Sequence, residues 1–132
     1  MRRLLLDTTF LIDAERAGPD ARARFDDDDD VAIAAVTLAE LRVGALLGRG
    51  RRKGARVAFV DDIAVTMAIV DYGAEVAEHH ALLLAAVRRQ GRPRGAHDLI
   101  IAATARSDRR TVVTADHQAF ADLPGVGVEP HR

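Results

Sequence analysis

The chain has 132 residues, 48% of them hydrophobic and 30% charged, with a net charge of −1 and no cysteine. That length suits a single domain with a real core, no run approaches the roughly 20 apolar residues of a membrane span, and disulfides and thiolate metal sites are excluded. Arg2 and Arg3 lead into an apolar run that Asp7 breaks too early for a secretory signal, so a cytoplasmic location is expected, and any hold on nucleic acid must come from local patches rather than bulk charge.

In chain order, apolar and β-branched runs bounded by turn residues alternate with helical periodicity. A strand is expected at Arg3–Leu6, then short helices at Thr9–Arg16 and Pro19–Phe25, and a second strand at Val31–Val36. An amphipathic helix follows over Thr37–Leu47 and a shorter one over Arg52–Asp61, leading to a strand at Met67–Val70. Gly73–Arg89 is the longest periodic stretch, and Ala96–Arg106 is compact and alanine-rich. Strands at Thr111–Val113 and Val126–Val128 close the list. Such alternation implies an α/β domain on a mostly parallel sheet.

Three local biases stand out. The run from Asp26 to Asp30 reads as a solvated turn before a strand and is assigned no role. The basic stretches Arg49–Arg56 and Arg88–Arg94 are either phosphate contacts or ordinary solvated helix ends. Lys53 is the only lysine, so an arginine count by itself carries little weight.

In right-handed βαβ units, strand C-termini and helix N-termini share one edge of the sheet, where ligands bind. Asp7 ends the first strand, Glu40 lies in the first turn of the helix after the second, Asp98 opens the helix before Thr111–Val113, and Asp116 follows that strand. Each has a local explanation. Asp7 suits the cap of a Thr8–Arg16 helix, Thr37 and Glu40 form a capping-box pattern, and Asp98 and Asp116 suit helix N-termini. Together, however, four carboxylates on one edge repel one another, raising their pKa values unless a cation sits among them. Carboxylate oxygens suit a hard divalent ion such as Mg²⁺, and that pairing performs phosphodiester cleavage through a metal-activated water. The histidines match no zinc spacing, although His97 and His117 each neighbour one of the acids.

Four segments, "LLLDTTFLID", "AVTLAELRVGAL", "GAHDLIIAATA" and "VVTADHQAF", appear in an order that resembles the PIN-domain family, specifically the VapC-type toxins of prokaryotic toxin–antitoxin pairs. The resemblance extends from Arg3 to about Phe120 and implies a compact α/β/α sandwich with Mg²⁺- or Mn²⁺-dependent endoribonuclease activity. By motif, Asp7 corresponds to the first metal ligand, Glu40 to the second acid, Asp98 to the third and Asp116 to the fourth. Asp7, Asp98 and Asp116 are expected to position the ion, directly or through waters, while Glu40 orients a water or completes a second site. Thr9 and Thr114 match small hydroxyl residues that support the acids. The family also implies an RNA substrate, a homodimer and a cognate VapB-type antitoxin whose tail occupies the active-site groove.

Three other readings fit the sequence less well. A phosphoacceptor receiver domain would need its acidic pair after the first strand and a lysine after the last, but Asp61 and Asp62 come mid-chain. A haloacid-dehalogenase-type phosphatase needs an acid two residues after its nucleophile, where this chain has Thr9. The third is a non-catalytic PIN-fold module, against which the presence of all four acids argues.

Overall fold

The computed structural model describes residues 1–18, 20 and 24–131. Five strands, β1 (Arg3–Leu6), β2 (Asp30–Ala34), β3 (Ala68–Val70), β4 (Thr111–Thr114) and β5 (Val128–Pro130), form one sheet in the order β3-β2-β1-β4-β5. Every pairing is parallel, with Leu5 opposite Ala32 on one side and Val112 on the other. The five helices are α1 (Thr8–Ala17), α2 (Ala35–Leu47), α3 (Gly50–Thr66), α4 (Ala74–Gln90) and α5 (Ala96–Ser107).

A parallel sheet must be covered on both faces, and successive strand side chains point to opposite sides. Leu4 and Leu6 accordingly pack with Ile33, Val113, Phe10, Leu41 and Val60 beneath α1, α2 and α3. Leu5 faces the other way, with Ala32, Val112, Leu83 and Ile101 beneath α4 and α5. All three leucines are buried, which is why "LLL" reads as an unbroken apolar run. The result is an α/β fold with helices on both faces, as the alternating pattern implies.

The chain lays β2 and β3 on one side of β1, then crosses back to place β4 and β5 on the other. The strand order therefore reverses between β1 and β4. In parallel sheets the crevice beyond the carboxyl ends at such a reversal is where ligands bind, and Asp7 and Asp116 follow these two strands.

Several boundaries differ from the sequence reading. β2 ends at Ala34 and α2 starts at Ala35 with no connecting residue, so Glu40 lies in the second turn of α2, not the first. The capping box is absent. Ala34 is the N-cap, and Thr37 is fully buried with no partner for its hydroxyl among the described residues. The last strand is Val128–Pro130 rather than Val126–Val128, because a turn carrying Gly125 at φ 69° holds Val126 N–H on Leu123 C=O. Pro130 is tolerated there because β5 is an edge strand. The short helix expected over Pro19–Phe25 falls largely outside the described residues.

The opposite edge of the sheet, at the strand N-termini, is a closed ion-pair network. Arg110, only 7% exposed, donates to Asp108 Oδ2 at 2.6 Å, to Asp30 Oδ1 at 2.9 Å and to the carbonyls of Asp30 and Leu4. Arg3 adds bonds to Asp30 Oδ2 at 2.8 Å and to the Asp108 carbonyl at 2.9 Å. The aspartate run is likewise a structured turn. Asp29 accepts the Asp26 N–H and pairs with Arg2 at 2.6 Å, which holds its carboxyl down to about 2.

Candidate active site at the carboxyl edge of the sheet

Asp7 is the most constrained of the four acids. It is 2% exposed, in the step from β1 to α1, and its Oδ1 accepts the Phe10 N–H at 2.9 Å as the helix cap. Its Oδ2 accepts the Thr114 hydroxyl at 2.6 Å, and the Thr9 hydroxyl lies 2.8 and 3.0 Å from the two oxygens. Both hydroxyls are in turn fixed by backbone. Ala115 N–H donates to Thr9 Oγ1 at 3.0 Å, and Asp116 N–H to Thr114 Oγ1 at 2.9 Å. Thr9 and Thr114, the two hydroxyl residues named from the sequence, therefore both hydrogen-bond to Asp7. They tie Asp7 to the backbone of the segment bearing Asp116.

Helix capping and ligand binding are compatible roles here. A carboxylate has about four acceptor positions, and the Phe10 amide and the two hydroxyls need not occupy them all. Burial raises the Asp7 pKa, the hydrogen bonds from Thr114, Phe10 and Thr9 oppose the rise, and the charge of Asp116 adds to it.

Glu40 reaches the same edge from α2. Thr8 Oγ1 donates to its Oε1 at 2.7 Å, and His97 Nδ1 stands 3.4 Å from its Oε2. The sequence reading missed Thr8, although "DTT" places a second hydroxyl one residue after Asp7. His117 begins the 3-10 turn His117–Ala119 and is exposed.

Asp98 lies in the first turn of α5, whose N-cap is Gly95. A Cβ at Gly95 would stand 2.8 Å from Asp98 Oδ2, so the carboxylate folds back over the glycine. Burial raises the Asp98 pKa, followed by repulsion from Glu40, Asp7 and Asp116, with His97 opposing. Glu40, Asp7 and Asp116 are thus the charges nearest to Asp98 at this edge. Glu40, Gly95, Ala96, His97 and Asp98 line an open cleft of about 320 Å³. The apolar cavity of about 330 Å³ around Phe10, Phe25 and Phe59 contains none of the four.

The charge balance differs sharply between the two edges. At the strand N-termini Asp30 and Asp108 are each bonded by arginine. At the carboxyl edge the only basic group within 4 Å of any of the four carboxylates among the described residues is the His97 imidazole beside Glu40.

An all-oxygen, anionic donor set suits a hard divalent cation. The spacing limits how one would be held. Around an octahedral Mg²⁺ no two ligand oxygens are more than about 4.2 Å apart. Among the described residues the only three acids with oxygens mutually within 4.8 Å are Asp26, Asp28 and Asp29, in the Arg2-paired turn. In this arrangement no three edge acids touch one ion directly. The set fits an ion that contacts one or two carboxylates and reaches the others through water.

The basic stretches resolve unevenly. Arg56 pairs with Glu15 at 2.7 Å, Arg88 and Arg89 occupy the last turn of α4, and Arg94 binds backbone carbonyls near Asp116.

Residues 4–126 match the PIN domain family. The tRNA(fMet)-specific endonuclease VapC of Shigella flexneri is 31% identical over 131 residues, spanning 98% of both chains. Toxin FitB of Neisseria gonorrhoeae is 31% identical over 125 residues, covering 89% of this chain and 90% of that one. Among solved structures, DNA-bound VapBC from Salmonella typhimurium superposes with a TM-score of 0.87 at 29% identity, covering 98% of each chain. VapBC2 from Rickettsia felis, bound to a promoter DNA fragment, gives 0.88 at 22% identity over 98% of this chain and 99% of that one, a likeness of fold. No helix among the described residues is long and apolar enough to cross a membrane. The chain belongs to the PIN-domain family and, within it, to the VapC toxin ribonucleases of toxin–antitoxin systems.

Proposed function

We propose that this chain acts as a single domain to hydrolyse RNA phosphodiester bonds, as the toxin of a toxin–antitoxin pair, with Mg²⁺ or Mn²⁺ held by Asp7, Asp98 and Asp116. The observation that carries this reading is the placement of the four acids, with Asp7 and Asp116 following β1 and β4, Asp98 in the first turn of α5 and Glu40 lining the same cleft, at the switch point of the sheet and with no arginine or lysine paired to any of them among the described residues. Such an edge is costly unless a cation or a cationic group completes it. A bound divalent ion supplies a water of lowered pKa and offsets charge on the phosphate.

The protein's own groups do the positioning. Asp7 is held by Thr9, Thr114 and the Phe10 amide, so its free acceptor positions keep one direction. Asp98 and Asp116 bring charge from the two neighbouring segments. Glu40, oriented by the Thr8 hydroxyl, faces the cleft and aligns a water for attack or completes a second ion site. His97 stands exposed beside Glu40.

The relatives suggest the partners. VapC proteins crystallise in VapBC complexes, and one such complex carries promoter DNA. A VapB-type antitoxin and a homodimeric toxin in the cytoplasm are the corresponding expectations for this chain. A cationic side chain from an antitoxin tail would satisfy the acidic edge as an ion does.

The test is RNA cleavage by wild type, Glu40→Gln and Asp98→Asn with Mg²⁺, Mn²⁺ or chelator. Wild type should cut only with metal, and both variants should lose at least a hundredfold while staying folded. Gln can still accept the Thr8 hydroxyl, and Asn relieves repulsion. If none of the three cuts RNA above background, or all three behave alike with and without metal, the acids are structural and the non-catalytic module takes over.

A further inference from the structure

Arg94 lies between the two basic residues Arg92 and Arg88 and the helix that bears Asp98, yet its guanidinium turns inward. Nη2 donates to the Ala121 carbonyl at 2.7 Å, while Nη1 donates to the Ala119 carbonyl at 3.2 Å and lies 3.4 Å from that of Gln118. These three carbonyls belong to the turn that follows Asp116. The N–H groups of the same turn are used internally. Ala119 N–H bonds the Asp116 carbonyl, and Phe120 and Ala121 N–H both bond the His117 carbonyl. The outward carbonyls would otherwise have no partner in the turn, and Arg94 collects them.

Its place in the chain gives this a consequence. Arg94 immediately precedes Gly95, the N-cap of α5, and the Asp98 carboxylate is folded against Gly95. One side chain therefore joins the start of the helix that carries Asp98 to the turn that begins at Asp116. Phe120, fully buried in the core cluster that also contains Leu99, anchors the far side of the same turn.

We propose that Arg94 is a positioning residue that fixes the separation of Asp98 and Asp116 by clamping the 117–121 turn to the N-terminus of α5, and that it is not an RNA contact. The inference rests on the reading of these acids as an ion-holding pair. A guanidinium is required because its planar fork serves several carbonyls at once, whereas a lysine ammonium is a single point. Supporting residues that orient ligands in this way commonly alter metal affinity by 10- to 100-fold when removed.

The test compares wild type, Arg94→Lys, Arg94→Met and the neighbouring Arg92→Met. In metal-free protein, amide exchange at 117–121 should accelerate at least tenfold in both Arg94 variants, with the β1 and β4 amides unchanged. Mn²⁺ should bind at least tenfold more weakly by calorimetry. RNA cleavage should lose kcat while KM and its salt dependence hold, and Arg92→Met should behave as wild type in exchange and Mn²⁺ affinity. A raised KM with a shallower salt dependence and unchanged Mn²⁺ affinity would make Arg94 a phosphate contact and overturn the clamp. So would unchanged exchange at 117–121, or global loss of protection in both variants, which would make its role purely structural. If wild type itself neither binds Mn²⁺ nor cuts RNA, the nuclease reading falls, and the clamp stands or falls on exchange alone.

Discussion

Thr114 Oγ1 donates to Asp7 Oδ2 at 2.6 Å and accepts the Asp116 N–H at 2.9 Å. One buried hydroxyl at the end of β4 thus couples the acid after β1 to the backbone of the acid after β4. Thr114→Val removes both bonds at nearly constant volume and leaves a buried carboxylate oxygen and an amide short of a partner. A loss of about 1–3 kcal/mol is expected in urea denaturation, with cleavage reduced at least tenfold per folded molecule. Thr114→Ser should retain most of both. Equal stability of the valine variant would mean that the hydroxyl does not hold Asp7.

The two edges of the sheet should respond oppositely to pH. Burial and neighbouring acids raise the pKa of Asp98, and burial raises that of Asp7, so the folded state binds protons that the unfolded state releases near 3.9. From there up to the raised values, stability should fall as pH rises, and remain low beyond them. Asp29 and Asp30 are lowered by their hydrogen bonds to Arg2 and Arg110. Their contribution is present above roughly 3.9 and is lost as pH falls through the lowered values, about 2 for Asp29. Metal-free wild type should therefore melt highest in mild acid. Asp98→Asn should melt about 2 °C or more above wild type at neutral pH, with the gap closing toward pH 4. Adding Mg²⁺ should raise wild type and leave the variant nearly unmoved. A pH-independent gap would refute the electrostatic account.

What was legible in the sequence is tied to side chains with one period or one purpose. Leu4, Leu5 and Leu6 announce a strand buried on both faces, and the four acids fall on one edge because parallel βα units leave no other place for them. The β2–α2 junction was hidden because "AIAAVT" is apolar on both sides of the boundary, with no polar cap to mark the change of period. Distances across the site were equally hidden. Nothing in the spacing of Asp7, Asp98 and Asp116 tells that three of their oxygens lie too far apart to share one ion directly. The partners of Thr8 and Arg94 depend on contacts 32 and 24 or more residues away, beyond the reach of any local pattern.

Thr37 illustrates the cost of a misread cap. It lies in the first turn of α2, fully buried, with no partner for its hydroxyl among the described residues. A buried hydroxyl without a bond costs about 1–3 kcal/mol. Thr37→Val keeps the shape and should raise stability by about 1 kcal/mol, whereas Thr37→Ser should lower it by removing a packed methyl. If valine destabilises by a similar amount instead, the hydroxyl has a partner and the packing account is wrong.

Arg110 gives the complementary case, a charge whose removal should harm folding and spare the chemistry. Its side chain is 7% exposed, with bonds to Asp30, Asp108 and two carbonyls at the edge opposite the acids. Arg110→Met leaves Asp30 and Asp108 facing one another with only Arg3 between them. Because both acids remain about one-third exposed, the full loss of about 3–5 kcal/mol for a broken buried pair is reduced by solvent, and about 2–3 kcal/mol is expected. Arg110→Lys should recover less than half, since one ammonium cannot serve both carboxylates and the carbonyls. Below the melting transition, cleavage per folded molecule and Mn²⁺ affinity should match wild type in both variants. A fall in Mn²⁺ affinity at unchanged fold would instead show that the lower edge of the sheet transmits its geometry to the upper one, and that the two edges do not act independently.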